Sequence, residues 1–368
     1  MPANSLKIGL IGTGRIGRLH AEHLTSRIRS ADLIMVADVS EEAARQCADD
    51  YAIPYFQQDY HAMLDHPDIQ AVVICSSTDT HARIIEEAAQ AGKHIFCEKP
   101  IALDLSQIDR ALDAVERAGV KLQIGFNRRF DASFRRVRQA VEQGEIGHPH
   151  LLHLISRDPA PPPIEYIRVS GGLFLDMTIH DFDMARFLMG SEVDEIFAMA
   201  DVMVDPAIGE AGDVDTAVVM MHFTNGVIAT IDNSRRAAYG YDQRVELLGS
   251  SGAIRTENNY PNTAIMSDGH SVQRDLPLHF FVERYTESFV TEMAAFVDAV
   301  LQDKPVPVTG HDGRIPVVMA LAAQKSLVEN RPVRLSEIEL GTNPSRQGRP
   351  QEPTQDAGGM QGERVEGA

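Results

Sequence analysis

The 368-residue sequence predicts an α/β protein in two domains, on three observations. Short apolar runs rich in β-branched residues alternate with stretches of helical period from Leu6 to about Gly125. A glycine-rich turn stands directly after the first of those runs. Beyond residue 126 the rhythm changes to strand-like segments joined by turns, interrupted by one helical stretch. At roughly 100 to 200 residues per domain, the length fits two domains.

In chain order, strands are expected over 6–11, 33–39, 71–75, 94–97 and 121–124, with a weaker one over 54–56. Helices are expected over 16–28, 41–50, 81–91 and 105–118. Strands apolar on both faces belong inside a parallel sheet covered by helices. After a helix over 133–143 come strands over 151–156, 193–204, 217–223, 227–233 and 244–248. Thr224-Asn225-Gly226 is a hairpin signal, because Asn-Gly accepts the positive φ angles of a type I′ turn. This half reads as a mostly antiparallel sheet. Within 172–190, Phe174, Leu175, Ile179, Phe182 and Leu188 recur at helical spacing. Helices over 285–302 and 313–329 complete the domain, and the last is expected to pack back on the first domain. The division is thus 1–125 and 126–336, followed by a Gly- and Pro-rich stretch over 341–368. That stretch holds too few apolar residues to offset its ordering entropy and is expected to be a disordered tail. No internal repeat is visible.

Hydrophobic residues at 43% and charged residues at 24% can build a large core, which excludes collagenous and globally disordered classes. Lys and Arg number 34 against 53 Asp and Glu, a net charge of −19 that repels phosphate backbones and anionic membrane surfaces. No nucleic-acid partner and no membrane association are expected, and no apolar run is long enough for a membrane span. Cys47, Cys75 and Cys97 are too scattered for a disulfide framework or a metal knuckle, so a reducing compartment fits best. Residues 1–7 lack the features of a secretory signal, and a cytoplasmic location is expected.

Gly12-Thr13-Gly14-Arg15-Ile16-Gly17 is GxGxxG, placed after the first strand and at the start of the first helix. In such a turn the first Gly permits the bend and the second lets a pyrophosphate approach. The third lets helix pack on strand, and the helix N-terminus faces the anion. Asp38 ends the second strand 21 residues beyond Gly17, where a carboxylate accepts ribose hydroxyls. The two together predict a Rossmann dinucleotide site. Asp38 repels a 2′-phosphate and no Arg follows it to clamp one, so NAD is favoured over NADP. The plainer alternative is that Asp38 caps the next helix.

Cys97-Glu98-Lys99-Pro100 closes the fifth strand at the carboxyl end of the sheet, where ligands of open α/β folds bind. Lys99 could polarise a substrate oxygen there, although a surface lysine before a turn proline is the bland alternative. Asp176 and His180 lie four residues apart and share a helix face. An imidazole with an ordinary pKa of about 6.5 suits removal of a hydroxyl proton, and a neighbouring carboxylate could support its charged form. An ordinary surface ion pair and half of a metal site are the competing readings. No third ligand stands at supporting spacing, so no metal is expected. Cap or surface roles are expected for Asp181 and Asp183.

The fingerprint, the Glu98-Lys99-Pro100 turn and the segment from Gly171 to Asp181 together resemble the Gfo/Idh/MocA oxidoreductase family over residues 5 to 336. Residues 125–131, 157–159 and 239–242 are most similar to its inositol 2-dehydrogenase branch. The resemblance implies a Rossmann domain followed by an α+β domain on an open, mostly antiparallel sheet, and a homotetramer. It implies NAD-dependent oxidation of a cyclic polyol or sugar, foremost myo-inositol to 2-keto-myo-inositol. His180 would be the base, Asp176 its partner, and Lys99 would contact the reacting hydroxyl. Cofactor contacts would come from Gly12, Gly14, Arg15, Ile16, Gly17, Asp38, Ser76, Thr78, His81 and Glu98, and substrate contacts from Arg128, Asp158 and Tyr239. A familiar pattern of that branch has Asn where this chain has Asp158, which leaves the preferred stereoisomer open. A scyllo-inositol or other cyclic sugar dehydrogenase and a non-catalytic NAD-binding regulator are the alternatives.

Overall fold

The computed structural model describes residues 5–342. The first half runs β1 (Leu6–Ile11), α1 (Arg15–Ser26), β2 (Ala31–Ala37), α2 (Glu41–Tyr51), β3 (Tyr55–Gln57), α3 (His61–Leu64), β4 (Ala71–Ile74), α4 (Thr78–Gln90), β5 (His94–Glu98), α5 (Leu105–Ala118) and β6 (Leu122–Gly125). Its six strands are parallel in the order β3-β2-β1-β4-β5-β6. All four residues of β4 are buried, as helices on both faces of a sheet require. The strand order reverses between β1 and β4, so a crevice forms outside their carboxyl ends. Helix α5 shows why the boundaries fall where they do. The Asp104 carboxylate accepts from Gln107 N–H at its start, and Gly119 leaves it at φ 67°.

The second half contains α6 (Ala132–Glu142), β7 (Pro149–Arg157), α7 (Ile164–Ile167), a π turn (Phe174–Thr178) leading into α8 (Ile179–Met189), β8 (Val193–Asp201) and α9 (Pro206–Glu210). Then come β9 (Thr216–Phe223), β10 (Ile228–Ser234), β11 (Asp242–Gly249), β12 (Gly252–Arg255), β13 (Ile265–Ser267), β14 (Val272–Arg274), α10 (Phe281–Leu301), α11 (Gly310–Glu329), β15 (Val333–Arg334) and α12 (Leu335–Thr342). Seven strands form a sheet in the order β12-β11-β7-β10-β9-β8-β15, antiparallel except for the β7–β10 pair. Helices α8 and α11 pack on one face. The other face is open, and Met199, Val218, Met220, Ile228, Leu151 and Leu248 stand exposed across it.

Helix α11 joins the two halves. A side chain at Gly310 would collide with Leu112, one at Gly313 with Ile101 and Ile124, and Arg314 donates to Asp109 at 2.7 Å. The strand expected over 193–204 stops at Asp201. There the Asp215 carboxylate accepts the N–H groups of Met203, Val204 and Asp205 and curls the chain into α9. The hairpin β13–β14 is exposed along its whole length, so no apolar pattern announced it. Helix α12 runs through Gly341 and Thr342, where a disordered tail was expected, because helical backbone continues past the last strand; residues 343–368 of that tail lie outside the described residues.

Candidate active site

The glycine turn has the shape a dinucleotide needs. Gly12 sits at φ +92°, and a Cβ there would lie 2.6 Å from the Cys75 carbonyl carbon. A Cβ on Gly17 would lie 1.9 Å from the Gly12 oxygen, whereas one on Gly14 would point into open space. Gly14 caps α1 without a side chain, so the first N–H groups of the helix remain available to an anion. Arg15 is exposed with its guanidinium 5.7 Å from the Phe280 ring centre, and Ile16 is half-buried behind it. The Asp38 carboxylate accepts from Thr13 N–H at 2.7 Å, Thr13 Oγ1 at 3.0 Å and Ser40 N–H at 2.9 Å. A lone-pair site remains on Oδ1 for a ribose hydroxyl. Ser40, not Asp38, caps α2, accepting from Ala43 N–H. Turn, helix end and carboxylate together fit NAD.

The loop after β4 differs from expectation. Thr78 already opens α4, which carries His81 inside the helix and buries it. His81 Nδ1 lies 2.8 Å from the Pro100 oxygen and Nε2 lies 2.9 Å from the Ser76 oxygen. A neutral ring donates to one of these carbonyls at a time, and His81 sits buried between the two loops that carry them. The Ser76 hydroxyl pairs with Thr80 at 2.7 Å. Glu98 ends β5 with Oε1 at 2.7 Å from His20 Nε2.

Lys99 and Asp176 do meet. Lys99 Nζ donates to the Asp176 carbonyl oxygen at 2.9 Å and lies 3.8 Å from its Oδ1. The expected Asp176–His180 contact is absent, and this corrects the helical-face argument. Asp176 lies in the π turn, which takes an extra residue per turn, so the i, i+4 relation of a regular helix does not carry across it. Its carboxylate instead accepts from Tyr166 Oη at 2.9 Å and from Arg235 Nη1 at 3.2 Å. His180 packs edge-on to Phe126, and its buried Nδ1 has no partner among the described residues. Burial, with Lys99 and Arg128 adding their positive charge, holds the imidazole well below its ordinary range.

Arg128 is buried and donates to Asp181 at 2.8 Å, with Ser156 and the Tyr241 hydroxyl at longer range. Asp181 also accepts from Asn233, so it is a core anchor and not the cap or surface residue its neighbours suggested. Asp183 is likewise buried and paired with Arg129. Among the described residues Asp158 makes backbone bonds only: its N–H donates to Ser234 and its carbonyl accepts from Ala237. Burial pushes its carboxyl up to about 6, with Arg128 lowering and Asp176 raising it. Tyr239 is on the wrong side. Its hydroxyl accepts from Arg157 and donates to Asp242 on the open face of the sheet, 39% exposed, while Tyr241 turns inward beside Arg128. The intervening Gly240 at φ +122° sets that opposition.

Three contributors escaped sequence reasoning. Arg235 is 1% exposed and bridges Asp176 and Asp213, whose carboxylate also accepts Leu173 N–H. Tyr166 reaches the site from α7, in an irregular stretch with no periodic pattern. A buried arginine must be paired, but its partners are distant in sequence and carry no local signal.

A parallel sheet with a dinucleotide turn at its switch point, beside a second sheet domain that brings an acid against the lysine that follows β5, defines a two-domain NAD-dependent oxidoreductase acting on CH–OH groups. The chain belongs to the GFO/IDH/MocA family. Residues 6–126 match its oxidoreductase domain, described as an NAD-binding Rossmann fold, and residues 134–255 match the GFO/IDH/MocA C-terminal domain. The chain is 48% identical to a myo-inositol 2-dehydrogenase of Thermotoga maritima over 333 residues, covering 90% of this chain and 99% of that one. It is 45% identical to an inositol 2-dehydrogenase of Rhizobium meliloti, covering 90% and 100%. The crystal structure of scyllo-inositol dehydrogenase from Lactobacillus casei with bound NAD(H) and scyllo-inositol superposes with a TM-score of 0.85 at 33% identity, covering 90% and 100%.

Proposed function

We propose that this chain oxidises myo-inositol to 2-keto-myo-inositol, with residues 1–125 holding NAD and residues 126–336 the polyol. The observation that carries the reading is the meeting of Lys99 with Asp176, with His180 near enough to both Lys99 and Arg128 for their charge to act on its imidazole. Gly12, Gly14, Gly17 and Asp38 would hold NAD, which supplies the hydride acceptor. The kinship with inositol dehydrogenases supports the polyol class.

The imidazole of His180, kept neutral by burial and by two nearby cations, accepts the hydroxyl proton. The Lys99 ammonium, anchored by the Asp176 carbonyl, steadies the oxygen as that proton leaves. Asp176 is fixed by Tyr166 and Arg235 and so positions Lys99. The Asp158 carboxylate, without a side-chain partner among the described residues, accepts a ring hydroxyl of the polyol. Arg128 acts through Asp181 and Tyr241 by shaping the pocket wall.

Oxidation of the scyllo isomer is the second reading, supported by the kinship with scyllo-inositol dehydrogenases. NADH absorbance during incubation with NAD and a panel of inositols and sugars separates the two, and inactivity on every polyol sinks both. The open apolar sheet face supports a homo-oligomer, a tetramer by family resemblance. Among the described residues no helix is long and apolar enough to cross a membrane, and we place the enzyme in the cytoplasm.

A further inference from the structure

Behind the Glu98–Lys99 turn lies a buried polar cluster that the proposed reaction does not use. His20, fully buried in the second turn of α1, points Nε2 at Glu98 Oε1 at 2.7 Å. A carboxylate only accepts, so the ring donates from Nε2. Its Nδ1 has no partner among the described residues, and the ring packs at a steep angle against Phe96 and Phe289, with ring centres at 5.3 and 5.8 Å. Gly125 on the neighbouring strand makes room for the carboxylate, since a Cβ there would lie 2.9 Å from Glu98 Oε2. Among the described residues His20 is the one hydrogen-bond donor to that carboxylate.

Glu292 of α10 completes the cluster. It is fully buried, and neither carboxyl oxygen has a partner among the described residues. Gln123 donates to the Glu292 backbone oxygen at 3.0 Å while its own Oε1 is also unpartnered. Burial, with Glu98 and Asp183 adding negative charge, pushes the Glu292 carboxyl well above the ordinary range.

We propose that His20 is a positioning residue that couples the dinucleotide-binding helix to the Glu98–Lys99 turn, holding the Glu98 carboxylate at the mouth of the cofactor crevice. The helix that faces the pyrophosphate and the strand that presents Lys99 then move as one body. An NAD molecule bound at Gly14 fixes α1, α1 fixes Glu98 through His20, and Glu98 fixes the residue next to it. This rests on the dehydrogenase reading for its kinetic arm, but its binding arm needs only NAD.

The test uses His20→Phe, which keeps an aromatic ring and removes the donor, and His20→Gln, which keeps an N–H donor. NAD affinity is measured by calorimetric titration, with kcat, KM and melting temperature alongside. His20→Phe should weaken NAD binding by about tenfold and lower kcat by a similar factor, the scale of one charge-assisted hydrogen bond, and His20→Gln should recover most of both. Glu98→Gln, nearly isosteric from the other end, should show the same affinity loss, and the double variant should be no worse than either single one. Wild-type NAD affinity in His20→Phe or in Glu98→Gln overturns the proposal. So does an equal fall of melting temperature in both His20 variants with unchanged affinity, which would mark a packing role only. A wild-type enzyme inert toward every polyol, whose NAD affinity still responds to His20, would sink the substrate reading and leave the coupling intact.

Discussion

Arg235 Nη1 donates to Asp176 Oδ2 at 3.2 Å, so the carboxylate four residues before His180 is tied to a buried arginine and not to the imidazole. The same guanidinium reaches Asp213 at 3.3 Å. Removing it leaves two carboxylates without their cation. Arg235→Met should therefore destabilise the fold by roughly 3 kcal/mol, the usual cost of breaking one side of a buried pair, and lower turnover with it. Arg235→Lys keeps the charge without the fork and should fall between the two. Denaturant unfolding and steady-state kinetics on both variants check this; wild-type stability in Arg235→Met would show that the bridge carries no weight.

Asp38 pins the Thr13 turn, and on the proposed function it would accept the ribose hydroxyls of NAD. Asp38→Ser removes the repulsion toward a 2′-phosphate, and the preference for NAD over NADP should shrink by about tenfold, or about 1.4 kcal/mol. The ratio of kcat/KM for the two cofactors reads it. An unchanged ratio would remove Asp38 from the ribose site.

Glu292 offers a stability test. An acid whose folded-state value is raised contributes its full stabilisation below the ordinary glutamate range and loses it as pH rises toward the raised value. Gln cannot ionise. Glu292→Gln should therefore gain melting temperature relative to wild type as pH climbs above the ordinary glutamate range, by roughly 2 °C or more. A gap that does not change with pH would mean that Glu292 is not the titrating group.

Much of the first domain was legible because its signals are local. The strand 6–11 and the helix 105–118 appear with the expected bounds, since each boundary signal, such as the Asp cap and the Gly stop, lies next to the end it sets. The three glycines could be assigned separately because each role depends on its neighbours in the turn. The pocket was less legible. Spacing suggested that Asp176 and His180 share a face, but the π turn between them has no sequence signature. Tyr239 and Tyr241 differ only in which side of the sheet they take, and one glycine decides it. Asp181 looked like a surface residue because its partners, Arg128 and Asn233, come from other elements.

Asp158 gives the activity a pH signature. With its carboxyl raised to about 6, it is increasingly protonated below that value and loses its capacity to accept a substrate hydroxyl. The kcat/KM for the polyol should rise as pH increases through about 6, and Asp158→Asn should flatten that rise. The same raised value means wild type loses stability as pH climbs through about 6 from the ordinary aspartate range, a loss the Asn variant escapes. A retained inflection near 6 in Asp158→Asn would assign it to another group.

His180 is the group proposed to remove the hydroxyl proton of a cyclic polyol. Steady-state oxidation of myo-inositol by wild type and His180→Ala, with NAD affinity titrated separately, tests it most directly. General base catalysis is worth about 10² to 10⁴ in rate, so kcat should fall within that range while NAD affinity stays unchanged. A His180→Ala enzyme that turns over myo-inositol at the wild-type rate would contradict the account.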